Sequence, residues 1–173
     1  WISTMGKKNE PNVGAIYRFY KGELRQMFSE LTIPNSICFH PSAPLALFAD
    51  TAKQRIDSVA LDPATGWPVG ARETYLDLSD QDLNPDGSVF DVKGRLWNAQ
   101  WGASRVACYE DGVCVDAVEI PTSQATCPAF GGAEGTTLFV ASSNYDLTDA
   151  QAGMTFAKAM PVKGIPEPRV IVD

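Results

Sequence analysis

Asn35 and Asp86 are the two side chains on which a functional site can be argued from the sequence. Each follows a proline and stands four positions before an aromatic, Phe39 or Phe90, within the segments IPNSICF (33–39) and NPDGSVFD (84–91). Pro-Asn and Pro-Asp-Gly are turn formers in their own right, so neither segment would signal anything alone. Their matched placement is the signal. If the two segments are equivalent strands of consecutive units arranged about an axis, Asn35 and Asp86 converge at one mouth of a central channel. An amide oxygen and a carboxylate are hard donors suited to calcium, magnesium or manganese and acceptable to zinc. Two donors do not complete a site. The third matched position, four before Phe130, holds Thr126, and a further donor is expected from elsewhere.

The elements that would position these residues come from a repeat. One copy runs from PNSICF through LFAD to RIDSVALD, the next from PDGSVF through WNAQ to RVACYED, and a third from ATCPAF through FVAS to MTFAKAM. A period of roughly 40 to 50 residues is that of a β-propeller blade, and each copy divides into an inner strand, two further strands and a weaker outer segment, which is the four-stranded blade pattern. The opening stretch fits only from the second strand onward, as WISTM, GAIYRFY and ELRQMF. The expected fold is therefore an all-β propeller, with one partial blade at 1–30 and whole blades at 33–80, 85–121 and 125–173. A start at Trp1 with no inner strand reads as the cut end of something longer. Two sheet edges should then be open, and open edges are templates for pairing, so self-association or a complementing chain is expected.

The 173 residues are 45% hydrophobic and 20% charged, with a formal net charge of −7. That balance suits one globular domain, repels phosphate backbones, and comes without the roughly 18-residue apolar run that would span a bilayer. Neither nucleic acid nor a membrane is expected as a partner. Cys108 and Cys114 flank an Asp111-Gly112 hairpin turn. A regular register sets Cys108 opposite Val115 and Cys114 opposite Tyr109, with the sulfurs on opposite faces. Cys38 and Cys127, on inner strands, read as buried free thiols. Unpaired cysteines point to a cytoplasmic protein.

Other residues read as structural. Trp97, Phe48, Phe90 and Phe130 suit packing between blades. Trp101 and Asn98 could face the channel, and Gln100 and Asp50 could line it or pin a strand end. The only histidine, His40, sits in a His-Pro turn and reads as a solvated loop residue rather than a base. Ser36, Ser42 and Ser88 have no partners for a nucleophilic triad.

Taken together, WISTMGKK, GAIYRF, IPNSICF, FADT, LDPATG, PDGSVFD, GRLWNAQWG, RVACYEDG, CPAFGG, TLFVAS and VKGIPEPR resemble the regucalcin (senescence marker protein) and gluconolactonase family. The resemblance covers essentially the whole chain and places its start about two-fifths of the way into a member. It implies a six-bladed propeller, one divalent metal ion in the channel, and hydrolysis of a sugar lactone. By that resemblance Asn35 and Asp86 are metal ligands beside an early Glu that lies upstream of this segment, Asp86 is also catalytic, and Lys8 takes the place of an acidic substrate contact. A metal would polarise the lactone carbonyl while Asp86 orients or deprotonates water. Two alternatives stand beside this expectation: a non-catalytic metal- or ligand-binding scaffold, and an esterase or phosphotriesterase on the same site.

Overall fold

The computed structural model describes residues 1–167, which are all-β apart from two single 3-10 turns, Thr51–Lys53 and Ser79–Gln81. Four antiparallel sheets follow one another along the chain. The first comprises β1 (Ile2–Thr4), β2 (Gly14–Tyr20) and β3 (Glu23–Leu31). The second holds β4 (Pro34–Phe39), β5 (Leu45–Asp50), β6 (Arg55–Leu61) and β7 (Pro68–Asp77). The third is β8 (Asn84–Phe90), β9 (Leu96–Trp101), β10 (Arg105–Glu110) and β11 (Val113–Glu119), and the fourth is β12 (Ala125–Gly131), β13 (Thr137–Ser142) and β14 (Thr155–Ala159). In every sheet the strands lie in chain order, so each is a meander. The inner strand β8 stands between β4 and β12 without joining either sheet. The fourth sheet has three strands among the described residues, where the repeat predicted four, and the end of the expected 125–173 unit lies outside them. No described helix is long and apolar enough to cross a membrane.

The core is three apolar layers, one between each pair of neighbouring sheets. Ile16 and Leu31 meet Ala46, Phe48 and Val59 in the first layer. Leu47, Ala49 and Ile56 meet Phe90, Leu96 and Tyr109 in the second. Trp97, Ala99 and Val106 meet Ala125, Leu138 and Val140 in the third. The central sheets are thus buried on both faces, which is why LALFAD and LWNAQW read as continuous apolar runs rather than alternating ones. As predicted, Trp97, Phe48 and Phe90 are core residues, and Phe130 packs edge-on against Trp97 at 6.1 Å.

The two terminal sheets are buried on one face only. On the first, Ile2, Phe19 and Leu24 are exposed, with Phe19 and Leu24 directly paired. On the fourth, Ala129, Phe139 and Ala157 form one exposed row across the three strands. Cys127 lies exposed on this sheet, which corrects the expectation of a buried thiol: no further sheet packs on that side of β12 among the described residues. Cys38 is buried as expected, and all four cysteines are free. The Asp111-Gly112 turn forms with both residues at positive φ, 49° and 78°. Cys114 pairs with Tyr109 as predicted, but a bulge after Cys108 sets that residue opposite Asp116 rather than Val115.

Candidate functional site

The inner strands do more than carry the matched residues, because each is irregular at the matched position. In β4 the step from Asn35 to Cys38 faces only Ala49 to Leu47, and in β8 the step from Pro85 to Ser88 faces only Gln100 to Asn98. The register of β12 shifts between Ala125 and Cys127. An extra residue of this kind bends a strand and re-aims its side chains. In β4 the bulge includes Ser36 at φ 57°, a left-handed conformation uncommon for serine. The bulges turn Asn35 and Asp86 toward a common space.

That space is a cavity of about 660 Å³ lined by Asn35 and Asp86 together with Met5, Asn9, Thr51, Asn84, Trp101, Gln124, Tyr145 and Asp146. A second cavity of about 330 Å³ continues along the inner strands and is lined by Asn35, Asp86, Thr126 and Cys127 among others. Both predicted ligand residues border both spaces, and Thr126 borders the smaller one. Lys8 borders neither. It is exposed on the turn after β1, next to the wall residue Asn9, and its backbone N–H donates to Glu10 at 3.0 Å.

Hydrogen bonds hold the walls. Asn35 Nδ2 donates to Thr51 Oγ1 at 2.9 Å, and Thr51 Oγ1 donates to the Pro85 carbonyl at 2.6 Å. Ser36 Oγ donates to the Asp86 carbonyl across the sheet boundary and lies 2.9 Å from Ser88 Oγ. Asn98, fully buried behind them, donates to Ser88 Oγ at 3.0 Å and to the Gly87 carbonyl at 3.3 Å. Asn98 is therefore a support beneath the site, while Trp101 reaches the cavity itself. The sequence left Asp50 and Gln100 between two roles, and both prove to pin strands. Asp50 accepts from the Thr32 and Ile33 amides at 3.1 and 3.0 Å. Gln100 accepts from Arg105 Nε at 2.6 Å and donates to Tyr109 Oη at 2.7 Å.

His40 is half-buried rather than solvated, a correction with a clear cause. Its Nδ1 accepts from the Ala43 amide at 3.0 Å and its ring meets Phe90 edge-on at 5.1 Å, so it organises the turn after β4.

Burial pushes the Asp86 carboxyl up to about 6, opposed only by a hydrogen bond from the Gly87 amide. No described residue forms an ion pair with it. A half-buried carboxylate without a counter-charge, beside an amide whose nitrogen is already engaged, fits a hard divalent cation in donor type. No cluster of three His, Cys, Asp or Glu side chains that could hold a metal ion occurs among the described residues.

Residues 1–144 match the family described as the SMP-30/Gluconolactonase/LRE-like region. The chain belongs to this family. A Rhizobium meliloti (strain 1021) relative, provisionally named a sugar lactone lactonase, is 42% identical over 97% of this chain and 60% of its own length. The L-arabinolactonase of Azospirillum brasilense is 38% identical over 78% of this chain and 46% of its own. The crystal structure of a calcium-binding protein, regucalcin, from Agrobacterium tumefaciens str. C58 superposes with a TM-score of 0.93 at 41% identity, covering 97% of this chain and 59% of that one. This family segment thus spans about half to three-fifths of the length of the relatives it matches.

Sequence reasoning missed Thr51, Asn84, Gln124, Tyr145 and Asp146. The repeat carries no signal for Tyr145 and Asp146, which lie between β13 and β14 and reach the cavity only through the fold. A signal for Thr51 existed: it ends FADT at the column matched by Trp101 in WNAQW.

Proposed function

We propose that this chain is part of a metal-dependent sugar-lactone hydrolase whose ion is held by Asn35 and Asp86 together with donors outside this pair. The observation that carries the reading is the shared cavity of these two residues, with Asp86 half-buried and without a counter-charge. The lactonase names of the relatives support the substrate class, and the calcium-binding neighbour supports a divalent ion, with calcium, zinc, magnesium and manganese all compatible with the donors. The four sheets are read as blades of a six-bladed propeller, at 1–30, 33–80, 85–121 and 125–173. The bare apolar faces of the terminal sheets support this, since each calls for a further blade, a second copy or a complementing chain to cover it. The free cysteines support a reducing, cytoplasmic setting.

In this reading the chain's residues bind and orient the lactone and move one proton. Met5, Trp101 and Tyr145 offer apolar surface to the ring, and Asn84 and Asp146 offer acceptors to its hydroxyls. When bound, the divalent ion supplies Lewis acidity toward the ring carbonyl and stabilises charge developing on that oxygen. Asp86 accepts the proton of the attacking water. Without the ion, burial raises its carboxyl to about 6, so it is ionised at pH 7 and available to a cation. Asp86 returns that proton to the ring oxygen as the ring C–O bond breaks, so the oxygen leaves as a hydroxyl and the product is the open-chain hydroxy acid.

The test is acid release from gluconolactone by the native polypeptide, before and after chelation. Release should fall on chelation, return with a divalent ion, and vanish in Asp86→Ala. Tight ion binding without acid release would replace the hydrolase by a binding scaffold. Lys8, exposed beside Asn9, is assigned to the substrate rim. Lys8→Ala should cost about 1 kcal/mol of binding, read as about a fivefold rise in KM with kcat nearly unchanged. An unchanged KM would remove Lys8 from the site.

A further inference from the structure

We infer that Thr51 is a positioning residue that sets both ion-donating side chains through a single hydroxyl. The inference rests on the metal reading above and adds to it a residue that the resemblance does not supply. Thr51 opens the 3-10 turn after β5, and its backbone N–H donates to the Ile33 carbonyl at 2.9 Å, so the residue is anchored before its side chain acts.

A threonine hydroxyl has one proton to give. Here it goes to the Pro85 carbonyl at 2.6 Å. Toward Asn35 the same oxygen can then only accept, and it does so from Nδ2 at 2.9 Å. This decides the orientation of the Asn35 amide: the nitrogen faces Thr51, and the oxygen is left for the cavity that both residues line. The reverse orientation would set two acceptors against each other. The second bond acts on Asp86, because the Pro85 carbonyl belongs to the peptide unit that leads into it. One hydroxyl therefore ties β4 in the second sheet to β8 in the third at the point where each presents its donor.

Groups that orient metal ligands in this way are worth roughly 10- to 100-fold in ion affinity. The variants are Thr51→Val, which keeps the shape and removes the hydroxyl, and Thr51→Ser, which keeps the hydroxyl. The probes are calcium, magnesium, manganese and zinc, each alone, titrated calorimetrically into the chelator-stripped native polypeptide. Thr51→Val should bind the ion about 10- to 100-fold more weakly, and Thr51→Ser within about threefold of the parent. The side-chain amide resonances of Asn35 should shift in Thr51→Val and not in Thr51→Ser, a readout that general loss of packing would not produce. Should Thr51→Val fail to fold, Thr51→Ala against Thr51→Ser makes the same comparison. Parent-like binding by Thr51→Val, or equal loss in Val and Ser, would overturn the inference while leaving the metal reading intact. A parent protein that binds none of these ions would remove the metal reading, and this inference with it.

Discussion

Asp86→Asn should abolish lactone hydrolysis and, in the same molecule, make the ion-free protein more stable at neutral pH. The loss of activity is expected to reach about 10²- to 10⁴-fold, the usual worth of a positioned proton acceptor. The gain in stability follows from the direction of the Asp86 shift. The folded chain holds this proton up to about 6, against an ordinary value of 3.8, so it binds the proton more tightly than the unfolded chain does. The stabilisation linked to that proton is fully present below about pH 4 and is lost as pH rises through about 6. Above that range an ionised, half-buried carboxylate costs the ion-free fold on the order of 1–3 kcal/mol, the upper end being the full shift. Asparagine has the same shape and no charge to desolvate, so its stability should stay flat over this window. Chemical denaturation of the stripped protein at pH 5 and pH 8 checks this. A variant less stable than the parent at pH 8 without ion would refute it. With saturating calcium the order should reverse, because only the parent gains from binding.

Gly87→Ala should open the seam between two inner strands. A methyl group at Gly87 would stand 2.8 Å from the Thr126 carbonyl oxygen and 2.9 Å from Cys127 Cα. Both are backbone atoms of β12, with no rotamer through which to yield, so β8 and β12 must separate. Gly87 is not among the glycines at positive φ, so the requirement here is room, not conformational freedom. Overpacking of this kind costs about 1–3 kcal/mol. Asp86 is the preceding residue, so ion affinity should fall along with the thermal midpoint, and Thr126 and Cys127 should change their solvent access on the smaller cavity. Parent-like thermal stability in Gly87→Ala would mean that β8 and β12 are not held as closely as described.

The Asp111-Gly112 turn was readable in the sequence because a two-residue hairpin demands positive φ at both positions and these residues tolerate it. The register beyond it was not, because the bulge after Cys108 moves its partner to Asp116. Cys127 was misread for a related reason. Its strand pattern resembles those of the central sheets, but burial on both faces needs a neighbouring sheet on each side, and β12 has one on a single side among the described residues. The bulges at Asn35 and Asp86 left no trace in the hydrophobic pattern, although they aim the site.

What the sequence determined by itself was therefore local and periodic: the strand units, the inner-strand positions of Asn35 and Asp86, and the family to which their motifs belong. Turn residues and side-chain alternation encode such features within a few positions of each other. The tertiary structure alone decided the desolvation of Asp86, the Thr51 bridge, and the arrival of Gln124, Tyr145 and Asp146 at the cavity. Each of these depends on atoms from different sheets meeting at an ångström-scale distance, and no short-range pattern in the chain specifies that.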